Sequence, residues 1–274
     1  MERNNNISVF KVNEFELENK KILLGVGFDG GSRFPGARAG AGELLNWIWD
    51  HDIEQLKDSC SIFSVPVPNQ GTEAALTMVE ECCKKAIALN NQVIMLGGDH
   101  SITVPAVEAF CKVNASPNVI VFDAHDDLDS GIVIRNWTVT HNLSQMANEV
   151  LIIGNRQKRI EMPNNVTSYS VDDIDMKGIR AVGNVINKFL EDDVPLYLSI
   201  DVDVLDPSEC PGVSYPKSGG LTFRELSFFI NTIFQAKKPS FVDLVEFNPL
   251  VEKEKSALVV SSILGKLQEL LEHD

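Results

Sequence analysis

Cysteine is scarce and its placing has no pairing pattern: five residues in 274, with Cys82 and Cys83 adjacent and no C-x-x-C spacing. That argues against a disulfide framework and against a thiolate zinc site, and it reads as a reducing compartment in which the thiols pack or face solvent. Long apolar runs are missing too. No stretch of about 18 apolar residues occurs, so no membrane-spanning helix is expected. The opening Met1-Glu2-Arg3-Asn4-Asn5-Asn6 lacks the apolar segment of a signal peptide, and the cytoplasm is the expected location. Positive charge is in deficit: 24 Lys and Arg against 39 Asp and Glu, a net charge of −15. A nucleic-acid partner would call for a basic stripe, so this class is set aside. No internal repeat and no linker interrupts the chain, and one domain over residues 1–274 is expected, with 1–20 as a peripheral arm or edge strand.

What is present is an ordinary globular composition, 44% hydrophobic and 23% charged, enough for a sizeable core. Strand-like runs lie at 21–27, 61–67, 92–96, 119–122, 150–153, 166–170, 195–200 and 241–246. Helical patterns fall between them, at about 37–51, 72–89, 102–113, 142–148, 177–191, 222–234 and 253–271, with 129–141 as an irregular loop. Thr222 followed by Glu225 reads as a capping box. Strands alternating with helices predict an α/β fold, eight parallel strands in a sheet covered on both faces. The run Gly25-Val26-Gly27-Phe28-Asp29-Gly30 has the spacing of a dinucleotide fingerprint. That fingerprint needs a helix to open at once, and Gly31-Ser32-Arg33-Phe34-Pro35-Gly36 cannot build its first turn. A glycine-rich loop at the rim of a site is the reading preferred here.

The informative feature is how three apolar runs end. Asn118–Phe122 stops at Asp123-Ala124-His125-Asp126-Asp127. Gln92–Leu96 stops at Gly97-Gly98-Asp99-His100-Ser101, and the run at 195–200 stops at Asp201-Val202-Asp203. Ligands of open parallel sheets bind at the carboxyl ends of strands. In an extended segment alternate residues point the same way, so Asp123, His125 and Asp127 are expected to share one direction, as are Asp201 and Asp203. Four carboxylates in one cleft would raise one another's pKa, and two divalent cations would balance them. Oxygen and imidazole ligands without thiolate suit Mn²⁺ ahead of Fe, Co or Zn.

These motifs, with Ser199-Ile200-Asp201-Val202-Asp203-Val204-Leu205-Asp206-Pro207, Gly219-Gly220-Leu221-Thr222-Phe223-Arg224-Glu225 and Val245-Glu246-Phe247-Asn248-Pro249, resemble the signatures of the arginase–agmatinase–formimidoylglutamase family, the ureohydrolases. The resemblance runs from about Gly25 onward in the same order. It implies a three-layer αβα fold with an eight-stranded parallel sheet, two Mn²⁺ per chain, and a trimer or hexamer. It also implies roles: Asp123 and Asp201 bridging both metals, His100 and Asp127 on one ion, His125 and Asp203 on the other. A bridging hydroxide would attack the planar carbon of a guanidino or formimidoyl group bound by Glu246. His141 resembles the family's proton shuttle.

The substrate's tail is less legible. Asn155-Arg156-Gln157-Lys158-Arg159 and Arg135 are basic positions in an acidic chain, which points to an acidic tail and N-formimidoyl-L-glutamate, with Arg156 and Arg135 as binding residues, over agmatine or arginine. Two rival classes stay open: a single-zinc deacetylase-like enzyme, and a non-catalytic protein of the same fold.

Overall fold

The structure, a computed structural model, describes residues 8–9, 21–50, 61–67, 71–89, 92–157, 159 and 161–272. Its strands are β1 (Ser8–Val9), β2 (Lys21–Gly25), β3 (Ser61–Ser64), β4 (Gln92–Leu96), β5 (Asn118–Phe122), β6 (Glu149–Asn155), β7 (Val166–Ser170), β8 (Leu196–Asp201) and β9 (Phe241–Val245). Its helices are α1 (Gly40–Asp50), α2 (Thr72–Ala88), α3 (Thr103–Val113), α4 (Val139–Met146), α5 (Val171–Lys177), α6 (Ile179–Phe189), α7 (Phe223–Ala236) and α8 (Glu254–Glu272). All strands join one sheet in the order β1-β3-β2-β4-β9-β8-β5-β6-β7, and every pairing is parallel. The eight expected strands are β2–β9. The ninth, β1, adds two residues at the edge beside β3, inside the stretch expected as an arm; the rest of that arm lies outside the described residues.

The central strands are apolar on both faces because both faces are covered. On one side Leu23, Ile94, Ile120, Leu151, Leu198 and Val242 pack under α1 and α5–α8. Their sequence neighbours Ile22, Val93, Val119, Val150, Tyr197 and Phe241 pack under α2–α4 on the other. The alternation of side chains along a strand therefore sorts one run of residues into two cores.

Two helix boundaries differ from the sequence reading. The helix expected at 177–191 is split at Gly178, whose φ of 85° breaks the run, and α5 opens earlier on a Ser170–Asp173 capping box. The helix expected at 142–148 begins at Val139, after a single 3-10 turn over Asn136–Thr138. That turn is closed locally: the Arg135 N–H donates to Thr138 Oγ1 at 3.0 Å, and Thr138 Oγ1 donates back to the Arg135 carbonyl. The capping box at Thr222 and Glu225 forms as expected.

The register puts one edge of the sheet in line. Phe122 pairs with Ile200, and Asp201 with Val245, so Asp123, Asp201 and Glu246 emerge side by side at the carboxyl ends of β5, β8 and β9. Neighbouring β4 pairs Leu96 with Leu244 and delivers Gly97–His100 to the same edge. Gly98 lies against the loop after β2: a Cβ there would sit 1.6 Å from the Phe28 carbonyl oxygen, so only glycine fits.

Candidate metal centre

Each of the three strand ends is shaped by one local device. An aspartate at the turn accepts the backbone N–H two residues on: Asp99 Oδ1 from Ser101 at 3.0 Å, Asp123 Oδ1 from His125 at 2.7 Å, Asp201 Oδ1 from Asp203 at 2.8 Å. Such Asx turns reverse the chain just past the sheet. The convergence expected from extended alternation is present, but its cause is different. β5 stops at Phe122, Asp203 lies in a 3-10 turn, and Asp127 has a φ of 47°. A left-handed conformation is uncommon for a residue with a side chain, and it is held here by the His141 N–H donating to the Asp127 carbonyl at 3.1 Å.

The six expected ligands come together and are buried, His125 partly. His100 Nδ1 lies 3.0 Å from Asp123 Oδ2, 3.4 Å from Asp127 Oδ2 and 3.3 Å from Asp201 Oδ2. His125 Nδ1 lies 3.4 Å from Asp123 Oδ1 and 3.0 Å from Asp203 Oδ2. The two oxygens of Asp123 thus face two separate groups, His100 with Asp127 and His125 with Asp203. In each group with Asp123 the ligand atoms lie within 4.8 Å of one another, close enough to hold an ion. His100 Nδ1 and Asp123 Oδ2 are buried without an aligned hydrogen bond to any protein atom, as befits donors aimed at a common third body. The donor set of carboxylates and imidazoles fits a divalent cation at each position.

The charge balance tells the same story. Burial opposes a charged imidazole, yet Asp123 and Asp203 hold His125 up at about 11. Burial, with Asp203 and Asp123 beside it, pushes Asp201 well above the usual carboxylate range; burial and Asp123 push Asp127 up to about 7. Asp123 is held low despite its burial, because both imidazoles face it. Without a cation, protons must neutralise this cluster.

Behind His100 stands a relay unforeseen in the sequence reading. His100 Nε2 lies 3.1 Å from Ser199 Oγ, and Ser199 Oγ donates to Asp243 Oδ1 at 2.6 Å. Tyr197 and Thr103 hydroxyls donate to Asp243 Oδ2 at 2.6 and 2.9 Å, so this fully buried carboxylate has both oxygens bonded. An aspartate in the apolar run Phe241–Val245 was the available signal.

Glu246 also carries a positive φ, 67°. Its Oε1 accepts from the His100 N–H and from Asn136 Nδ2, each at 2.9 Å, while its Oε2 is buried with no partner. Burial and the nearby Asp99 push it up to about 8. Glu246, Asn136, Trp137 and Tyr215 wall a cavity of about 70 Å³ over His125, Asp127, Asp201 and Asp203. Asn136, Trp137 and Tyr215 sit in loops whose sequence gives no periodic signal.

Three expected positions are placed differently. His141 is half-buried on α4 and is not among the residues lining that cavity. The Arg156 guanidinium donates to the carbonyls of Gly154, Asp203, Val204, Leu205 and Lys217, so it braces the turn carrying Asp203. Arg135 donates to the Gly30 carbonyl at 2.8 Å and braces the glycine-rich loop. The guanidinium groups of Arg135 and Arg156 are thus engaged by backbone carbonyls, partners that a sequence does not reveal. Arg159 pairs with Asp126 and Asp129, and Lys158 lies outside the described residues.

The arginase-family profile matches residues 19–268. An arginase of Staphylococcus aureus (strain MRSA252) is 32% identical over 211 residues, 66% of this chain and 70% of that protein. An agmatinase of Blochmanniella floridana is 27% identical, covering 90% of this chain and 86% of the relative. The crystal structure of formimidoylglutamase from Bacillus subtilis subsp. subtilis str. 168 superposes with a TM-score of 0.82 at 19% identity, over 97% of this chain and 90% of that one, a likeness of fold. By its motifs, its sheet and this match over nearly its whole length, the chain belongs to the arginase family.

Proposed function

We propose that the chain is a binuclear manganese hydrolase that cleaves the C–N bond of a guanidino or formimidoyl compound. The observation that carries this reading is Asp123, whose two oxygens face two separate imidazole–carboxylate groups. Asp123 and Asp201 would bridge, with His100 and Asp127 on one ion and His125 and Asp203 on the other. Two divalent cations bound there supply Lewis acidity and a water acidic enough to attack near neutral pH.

The chain's own residues do the rest. Glu246 Oε2, buried and unpartnered, accepts from the donor fork of an amidine cation and sets its planar carbon over the metal floor. The Asn136 amide and His100 N–H fix the other carboxylate oxygen, so the group is preorganised. Trp137 and Tyr215 narrow the cavity against bulk water. Asp127, on the cavity wall, is placed to take the proton from the attacking water and return it to the leaving nitrogen.

For the substrate we place N-formimidoyl-L-glutamate first, giving glutamate and formamide. What supports an acidic tail is Arg33, whose guanidinium carbon lies 4.5 Å over the Trp137 ring that walls the cavity. The relatives named arginase and agmatinase favour the second reading, release of urea from arginine or agmatine. The test is the manganese-loaded protein on all three compounds. Formamide from formimidoylglutamate supports the first reading; urea with formimidoylglutamate inert replaces it by the second; no turnover with two metals bound overturns both.

A further inference from the structure

The tip of the glycine-rich loop between β2 and α1 carries a feature suited to reading a substrate's tail. The Arg33 guanidinium carbon lies over the Trp137 ring, 4.5 Å from the ring centroid, and Trp137 is a wall of the cavity. Among the described residues the guanidinium makes no hydrogen bond and no ion pair. Its neighbours at the rim differ in this respect. Arg38 is bonded to Asp29, Arg135 to Gly30, Arg156 to the carbonyls around Asp203, and Arg159 to Asp126 and Asp129. A guanidinium stacked on an aromatic face is oriented while its N–H edge stays available, the geometry that takes a carboxylate with two parallel bonds.

The loop is anchored independently of that side chain. The Arg33 backbone N–H donates to Tyr215 Oη at 3.0 Å, and Ser32 Oγ donates to the same oxygen at 3.3 Å. Phe34 packs on Tyr215 with centroids 5.2 Å apart, and Tyr215 stands edge-on to His125 at 6.4 Å. Backbone and aromatic contacts therefore fix where Arg33 sits relative to the metal floor, while its charge is left for something else.

We infer that Arg33, held over Trp137, is the residue that reads a carboxylate on the substrate's tail, so that the preferred substrates are amidines or guanidines bearing an acid and a tail ending in an ammonium is disfavoured. The inference rests on the amidine-hydrolase reading above, with Glu246 taking the cationic head and Arg33, over the cavity wall Trp137, the anionic tail. Like charge at Arg33 repels an ammonium tail, so one residue both attracts and rejects.

Matched ligands that undergo no turnover test this directly. 4-Aminobutyrate and 1,4-diaminobutane have the same chain length and opposite tail charge. Their dissociation constants are measured by calorimetry on the manganese-loaded full chain and on Arg33→Gln and Arg33→Lys, with hydrolysis of the three candidate substrates followed in parallel. Arg33→Gln is expected to weaken 4-aminobutyrate about tenfold and to tighten 1,4-diaminobutane about two- to threefold, because the repelling charge is gone. Arg33→Lys, which keeps the charge and loses the fork, should fall between the wild type and Arg33→Gln. Equal shifts for both ligands, or no shift for either, overturn the assignment whatever the turnover shows. Absence of all amidine hydrolysis with the binding contrast intact overturns the proposed function and leaves Arg33 as an anion reader.

Discussion

The floor of the cavity and its mouth are built by opposite means. The floor is made of strand ends: Asp123, Asp201 and Glu246 emerge from adjacent parallel strands, and His100 follows the next one. It is buried, its turns are tied by repeated aspartate-to-backbone bonds, and even its unusual backbone at Asp127 and Glu246 is held in place. The mouth is made of loops with exposed or half-exposed Arg33, Phe34, Trp137 and Tyr215. A floor fixed by the sheet can keep one chemistry while loops at the mouth set which molecule receives it.

The largest effect is expected from the residue that both halves of the floor share. Asp123→Asn removes the charge facing both imidazoles, and should abolish binding of two metals and lower kcat at least about a thousandfold. Metal analysis with kinetics checks this. Retention of one tightly held ion and substantial activity would show that the halves are independent.

Next comes the proton balance of the floor. In the metal-free protein His125 is held at about 11 and Asp127 at about 7, so both carry protons at and just below neutrality. Cations must displace those protons, so manganese affinity should rise with pH between 6 and 8, by about tenfold per unit for each proton released. Calorimetry in buffers of different ionisation enthalpy counts the protons. A pH-independent affinity with no proton release would contradict the charge argument.

The support behind the floor is expected to matter less. Asp243→Asn weakens the Asp243–Ser199–His100 relay and should reduce affinity for the ion at His100 by about 10- to 100-fold, leaving the His125 side nearer to wild type. Equal weakening of both ions would point to general damage instead of a relay. His141, off the cavity wall, offers a sharper contrast: a general acid contributes at least about a hundredfold, and His141→Gln should cost kcat less than about tenfold. A loss above a hundredfold would restore the shuttle role that the sequence implies for it.

The legible and illegible parts of the sequence divide along the same line. Strand ends announce themselves because an apolar run that stops at Asp123 or Asp201 marks both a buried element and a polar exit, and the register of a parallel sheet then does the gathering. What could not be read is whatever depends on side chains meeting across loops. Arg156 looks like a ligand-binding base until its guanidinium is found among five backbone carbonyls, and Trp137 and Tyr215 become a mouth only once their loops are folded over the site. The split at Gly178 and the early start of α4 are illegible for a related reason, since one turn of capping geometry outweighs the periodicity beside it.

The smallest effect belongs to Asp126, between two ligands yet turned away from them toward the Leu128 N–H and Arg159. Asp126→Asn keeps an acceptor for that N–H and weakens the ion pair of the buried Asp126 with the partly exposed Arg159, about 1 kcal/mol after solvent screening. Chemical denaturation and metal content together check it. Damage comparable to Asp123→Asn would mean that the turn geometry at 123–127 is misread.

The central claim is that this sheet edge holds two cations through one shared carboxylate. Its most direct test is the metal content of the purified chain after manganese loading and removal of excess metal, read by elemental analysis against protein concentration. Two manganese ions per wild-type chain are predicted. One tightly held zinc per chain that manganese neither displaces nor supplements would contradict the account and favour a single-metal enzyme.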